Sequence, residues 1–403
     1  MACQSKKVLK YEESKAESPP FTLGIDNFVK NHLTLVKGKR VGLLTNPSGV
    51  NGQLQATADI LYHHPEVNLT TLFGPEHGIR GAIHAGEHVT DTVDNKTSIP
   101  IYSLYGKSRR PSPEMLENID VIIIDIQDFG LRAYTYIYTM AKVMEAAAEY
   151  NKQVLVLDRP NPLGGIRVEG NLVEEGYFSF VGLYPIPYQH GMSIGELAQL
   201  FNDAYGIDCQ LVVIPMLGWK REMLWGATGL SWVPISPHVP HWKTILHMGA
   251  TGTIGELRVL SEGVGYTSPF EIVGAPWIDA EEFAKHLNEL KLPGVYFRPL
   301  YFHPYYATYQ GEICQGVQLH IQNPDAFSAY STGLYIMQIH MKLYPEKDLF
   351  REKDRISMFD KVVGTDKIRK MLIDEKPVAY IVDSWSEALE QFKISRKKYL
   401  IYN

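Results

Sequence analysis

Apolar, β-branched runs alternate with amphipathic stretches through the first half of the chain. Val121 to Ile124 is an unbroken β-branched run, set between Asp120 and Asp125 and followed by Gly130. Such a run reads as a strand buried on both faces of a parallel sheet. A helical pattern follows from Ala133 to Tyr150, with Ile137, Met140, Met144 and Ala147 as its inward stripe. The same rhythm recurs on either side. Arg40–Thr45 is a predicted strand, Leu54–His63 a helix, Val67–Phe73 a strand and Ile99–Leu104 a short strand; Pro113 opens a short helix behind Ser112. Gln153–Leu157 and Gln210–Pro215 are further strands, separated by a helix that the capping box Ser193-x-x-Glu196 opens and that runs to Tyr205. Strands and helices in strict alternation predict right-handed βαβ units. The expected fold class is α/β: a Rossmann-like parallel sheet domain with helices on both faces.

Beyond about residue 246 the pattern changes. Gly249–Gly274 is rich in Gly and Thr, and Asp279 caps a helix. Gly316–Gln322 alternates with period two, and helical patterns cover Asp325–Leu343 and Ser384–Ser395. This predicts a smaller C-terminal α+β domain. The expected organisation is a flexible N-terminal tether over 1–21, a Rossmann-like catalytic domain over 22–246, and a C-terminal domain over 247–403 that closes a cleft. Gly81–Lys96 has no clear period and is expected to be a long surface loop, the kind that usually carries function.

Composition narrows the picture. A net charge of −6 argues against a general nucleic-acid binder, and no apolar run approaches the roughly 20 residues of a membrane span. Three cysteines without a Cys-x-x-Cys pair argue against a disulfide framework or a structural zinc. Cys3 stands behind a small residue and ahead of a polar stretch, as at the start of a mature bacterial lipoprotein. A lipid anchor there and a place in the cell envelope are expected; the alternative is an ordinary cytoplasmic N-terminus.

Three polar loops follow predicted strands: FGPEHGIRG (73–81), DIQDFGLR (125–132) and DRPNPLGG (158–165). In open α/β sheets such loops line the crevice at the carboxyl edge. They offer Glu76, His77, Arg80, Asp125, Gln127, Asp128, Arg132, Arg159 and Asn161, with Tyr134 and Tyr136 nearby. Each has a plainer reading: a charged turn, an Asp125–Arg132 pair, a rigid crossover. Glu169, in apparently irregular chain, competes with Glu174, Glu175 and Glu262 as a second carboxylate. Gly191–Gly195 matches the nucleophile elbow G-x-S-x-G, but Pro185 and Pro187 precede it where an elbow needs a strand, and Ser193 already serves as an N-cap. His84/His88 and His238/His241 have metal-like spacing without a supporting motif, so no metal is expected. Neither G-x-G-x-x-G nor a P-loop is present, which disfavours a nucleotide; no cofactor is expected. Trp219, Trp225, Trp232 and Trp242 form either a platform for a sugar face or an interface core.

Together GLLTNPSGV (42–50), FGPEHGIRG, DIQDFGLRAYTY (125–136), DRPNPLGG, EGN (169–171), HGMSIGEL (190–197), SPHVP (236–240) and EGVGYTSPFEIVGAPW (262–277) carry a resemblance. The chain resembles the NamZ-type exo-β-N-acetylmuramidases, a bacterial glycoside hydrolase family. The resemblance implies a Rossmann-like domain without nucleotide, a smaller C-terminal domain, and a cleft that releases N-acetylmuramic acid from non-reducing ends of peptidoglycan fragments. It implies Glu76 and Glu169 as the catalytic pair. His190, His238 and Glu262 join His77, Arg80, Gln127, Asp128, Arg132, Tyr134, Arg159 and Asn161 as expected substrate-binding residues. Glycoside hydrolysis needs one protonated and one ionised carboxyl. The expectation is Glu76 as acid, raised by partial burial, and Glu169 as base or nucleophile, with the reverse left open. Arg80, Arg132 or Arg159 would clamp the lactyl carboxylate of muramic acid. The competing expectations are a non-catalytic binder of wall sugars and an acyl hydrolase built on Ser193.

Overall fold

The structure is a computed structural model that describes residues 22–80, 92–106 and 108–403. The tether over 1–21, Cys3, His84, His88 and most of the Gly81–Lys96 loop lie outside the described residues.

Seven strands form the main sheet: β1 (Arg40–Thr45), β2 (Asn68–Gly74), β3 (Thr92–Val93), β4 (Pro100–Ser103), β5 (Val121–Asp125), β6 (Gln153–Leu157) and, last in the sheet, Gln210–Ile214. Between β6 and that last strand lie two short ones, β7 (Glu169–Leu172) and β8 (Pro187–Gln189), which make Gln210–Ile214 β9. The spatial order is β3-β4-β2-β1-β5-β6-β9, parallel throughout except for the β3 edge. Without β3 this is the doubly wound order, whose direction reverses between β1 and β5. That reversal opens a crevice at the carboxyl edge.

The run at β5 buries both faces with period two. Val121 and Ile123 join the core beneath α1 (Gly24–Asn31) and α2 (Thr57–His63). Ile122 and Ile124 join the opposite core, beneath α4 (Tyr136–Glu149) and α5 (Ile194–Ala204). A four-residue helix, α3 (Pro113–Leu116), precedes β5, with the expected Ser112 cap. Helix α4 starts at Tyr136 rather than Ala133, because residues 131–135 are used in a turn against β8, where Arg132 N–H donates to the Tyr188 carbonyl at 2.7 Å. The stretch from Glu169, expected to be irregular, is strand β7, paired antiparallel with β8; Gly170 there takes a φ of 86°.

Helix α6 (Trp242–Glu256) leads into the C-terminal half, so the boundary expected between 246 and 247 falls inside it. An antiparallel sheet follows, ordered β10 (Ile272–Ala275), β12 (Cys314–Ile321), β11 (Val295–Phe302). Helix α7 (Ala280–Glu289) packs on it, and α8 (Ala329–Leu343) packs on α7 and α6. Four more, α9 (Lys353–Val363), α10 (Lys367–Ile373), α11 (Val378–Asp383) and α12 (Ser386–Ser395), complete the chain. One apolar core runs from the sheet into this half.

Arg132 ties the two halves together. It is fully buried and donates to the carbonyls of Asn171 (2.6 Å) and Ile186 (2.8 Å), and to those of Val362 (3.0 Å) and Val363 (2.7 Å) at the end of α9. Replacing it with Met would strand four buried acceptors. The Arg132→Met variant is expected to lose on the order of 3–5 kcal/mol in urea unfolding, as when a buried charge partner is removed. A loss under about 1 kcal/mol would show that the tie is dispensable.

Candidate active site

The crevice begins where β1 and β5 end. Thr45 Oγ donates to the Asp125 carbonyl at 3.0 Å, and Gly49 packs so closely that a Cβ would lie 2.0 Å from that hydroxyl. Asp125 is buried. It takes a two-pronged ion pair from Arg159 (2.5 and 2.8 Å) and a hydrogen bond from Thr57. The partner of Asp125 is therefore Arg159, not Arg132.

Glu76 lies just past β2, on a turn where His77 and Gly78 both have positive φ (71° and 70°). A non-glycine residue held there is strained, and such strain concentrates at functional sites. The Glu76 carboxylate is nearly buried and accepts from Thr135 Oγ at 3.0 Å. Tyr105 also hydrogen-bonds to it; burial first, then the Glu76 charge and that bond, push the Tyr105 phenol up to about 12. Tyr136 donates to the Ile235 carbonyl at 2.8 Å and lies 3.3 Å from the Glu76 carbonyl. Tyr134 stacks on Phe129 and meets Tyr136 edge-on. Burial raises both phenols, so they stay protonated donors.

Glu169 sits on β7, with one oxygen accepting from both the N–H and the hydroxyl of Ser331 (3.1 Å each), in the first turn of α8. Its other oxygen is buried without a partner. Burial raises its carboxyl above the ordinary range, against those Ser331 bonds and the Arg167 charge. β2 and β6 stand three strand spacings apart, about 14 Å, and Glu169 follows β6. Residues 131–135 cross that gap. Leu131 bridges to Gln189, the strand partner of Glu169, and Thr135 bonds to Glu76. The named neighbours of Glu76 (Thr135, Tyr105) and of Glu169 (Ser331, Arg167) do not overlap.

The remaining expected residues divide. Gln127 donates to the carbonyls of Asp128 and Pro160, and its own carbonyl oxygen is buried without a partner. Asp128 accepts from Gly130 N–H at 2.8 Å and faces His190 Nε2 at 3.6 Å. His190 Nδ1 accepts from Met192 N–H, which places the neutral ring's proton on Nε2, toward Asp128. Asn161 holds the Leu163 N–H and the Met192 carbonyl, so it braces its loop. His238 bonds to the Tyr306 hydroxyl at 3.0 Å. Glu262 lies beside Gly255, near the end of α6, and burial with the neighbouring Glu256 charge pushes its carboxyl up to about 7.

One of the three expected clamps needs correction: Arg132 is fully enclosed and bonded to carbonyls, so its guanidinium is not available to a carboxylate ligand. Arg159 gives Nε and Nη2 to Asp125 and lines a pocket together with Gln127. Arg80 pairs with Asp94 (2.9 Å) and Asp59 (3.2 Å), yet it lines a cavity of about 130 Å³ together with Thr45 and Asn46. Ser193 is no nucleophile. It is buried, caps α5 in a complete capping box, and donates to Asp158 at 2.7 Å. Trp219 and Trp225 are buried as core. Thr135, Tyr105 and Ser331 were not anticipated. Thr135 lay within a quoted motif, whereas nothing local marks Tyr105 or Ser331.

A doubly wound sheet with an acid-bearing crevice, joined to a smaller α+β unit, defines a two-part α/β protein. Its family is shown by sequence. The chain matches the N-terminal model of the exo-β-N-acetylmuramidase NamZ over residues 41–243 and the C-terminal model over 248–402, and it belongs to that family. It is 48% identical over 387 residues to the peptidoglycan β-N-acetylmuramidase NamZ of Bacillus subtilis, spanning 96% of this chain and 92% of that protein. A crystal structure of a DUF1343 family protein from Bacteroides fragilis superposes with a TM-score of 0.92 at 44% identity, covering 96% of this chain and all of that one. A second protein of that family from the same organism gives 0.77 at 30% identity, covering 95% and 99%.

Removing the cap hydroxyl in Ser193→Ala is expected to cost about 1–2 kcal/mol of stability in urea unfolding. No measurable cost would contradict the capping role.

Proposed function

We infer that the protein is an exo-acting glycoside hydrolase that releases N-acetylmuramic acid from non-reducing ends of peptidoglycan fragments. Family membership supports the reaction. The observation that carries the mechanism is the burial of Glu169, which raises its carboxyl and leaves one oxygen unpartnered, the environment of a proton donor. Glu76 accepts from the hydroxyls of Thr135 and Tyr105. The roles expected from sequence are therefore exchanged. Glu169 protonates the glycosidic oxygen as its bond to the anomeric carbon breaks. Glu76 takes a proton from the water that attacks that carbon. A water that attacks the anomeric carbon directly gives inversion there. In this reading Arg80, at the cavity it lines with Thr45 and Asn46, serves the lactyl group. A lipid at Cys3 and a place in the cell envelope remain part of the proposal.

Glu76→Gln and Glu169→Gln are each expected to lower kcat on an aryl β-muramide by about 10²–10⁴-fold, while Ser193→Ala stays active. Loss of activity confined to Ser193→Ala would restore the acyl-hydrolase reading, and an inactive wild type that still binds muramyl saccharides would leave the non-catalytic binder. The first product seen by NMR should be the α-anomer.

A protonated Glu169 is needed for turnover, so the rate should fall as pH rises through its raised pKa. Glu169→Gln should remove that alkaline limb from the residual activity. A limb unchanged in Glu169→Gln would overturn the acid assignment.

A further inference from the structure

We propose that Tyr305, Tyr306 and Tyr266 form a saccharide-binding ledge for the sugars beyond the terminal one; this rests on the glycosidase reading above. Tyr305 is 67% exposed and Tyr306 49%, and the two stand side by side with Tyr266 against Tyr305. They are held in place. Tyr305 N–H donates to the Gly265 carbonyl at 2.8 Å, and the Tyr306 carbonyl presses on Gly265 so tightly that a Cβ there would lie 1.9 Å from it. The Tyr266 ring stacks with Tyr305 at 5.9 Å and 21°, and buried Phe302 backs Tyr266 at 5.7 Å. Rigid rings lose little entropy when a ligand covers them, and a phenol offers an apolar face and a polar tip together.

A short stretch of chain links the ledge to the surroundings of Glu76. The Ile235 carbonyl takes the Tyr136 hydroxyl beside Glu76, and three residues further on His238 bonds to Tyr306. Three residues reach at most about 11 Å, and the Val239 N–H to Ser236 carbonyl bond turns this stretch back on itself. The ledge thus lies within a short oligosaccharide of Glu76. An exo-acting site encloses one terminal sugar, so the rest of the chain leaves across an open rim. The buried Trp219 and Trp225 cannot supply that surface, and these tyrosines can.

The test compares an aryl β-muramide, which ends at the scissile bond, with a muramyl tetrasaccharide. Tyr305→Ala should raise KM for the tetrasaccharide at least 5-fold and leave the aryl substrate within 2-fold of wild type, while Tyr305→Phe should match wild type on both. Equal losses on both substrates, or no loss on either, would overturn the ledge. If wild type cleaves neither substrate, the glycosidase reading fails. Calorimetry of the full chain with the tetrasaccharide then decides the ledge alone: weaker binding by Tyr305→Ala supports it, and unchanged binding refutes it.

Discussion

A guanidinium enclosed in protein must replace its lost water with fixed acceptors, or the fold cannot keep it there. Arg132 finds four carbonyls on three separate segments, with the face of Tyr188 5.7 Å away. Arginine suits this place because its planar fork reaches several acceptors in fixed directions, whereas an ammonium would gather fewer. Arg132 stands inside the turn that leads from β5 to α4. The bonds that orient it therefore also hold Leu131 against β8 and carry Thr135 to Glu76. The β7–β8 pair, the end of α9 and the crevice share one anchor. A change in the C-terminal half that moved α9 would reach Glu76 through these contacts.

A second layer of organisation lies under β6. Asp158 accepts the N–H groups of Arg159 and Gly195 and the hydroxyls of Ser193 and Tyr402. Burial pushes its carboxyl up to about 6 despite those donors. The same serine that mimics a hydrolase nucleophile in sequence is thereby explained as a structural donor. Asp125 and Arg159 do similar work one strand over, so much of the charge in the carboxyl-edge loops shapes the crevice floor instead of facing a ligand.

The parallel sheet was readable from the chain because β5 and β6 are buried on both faces, which leaves an apolar run with no other use. The Ser193 helix was readable from its capping box. The strand at Glu169 was not: it is four residues long, irregular in register and interrupted by Gly170 in a left-handed conformation, so no period could form. Helices α10 and α11 are short, 7 and 6 residues, and none of α9 to α11 has a side-chain N-cap bond. Glu76 was readable as a site candidate through its glycine-punctuated loop. Arg132 was misjudged for a different reason. Carbonyl acceptors leave no mark in a sequence, so a structural arginine and a ligand clamp look alike until the partners are seen. Aromatic exposure is equally invisible: Trp219 and Trp225 are buried, while Tyr305 and Tyr306 are exposed.

The last residues of the chain return to its first domain. Ile401 N–H donates to Glu196, the Tyr402 hydroxyl to Asp158, and Arg221 N–H to the Asn403 carbonyl, across as many as 244 positions in the case of Tyr402. Closing such wide loops is slow, since their entropy is lost before the contacts reward it. During synthesis the nascent sheet would emerge from the ribosome with Asp158 and Glu196 still lacking these donors. The N-terminal half therefore gains these three bonds only once residues 401–403 have been made.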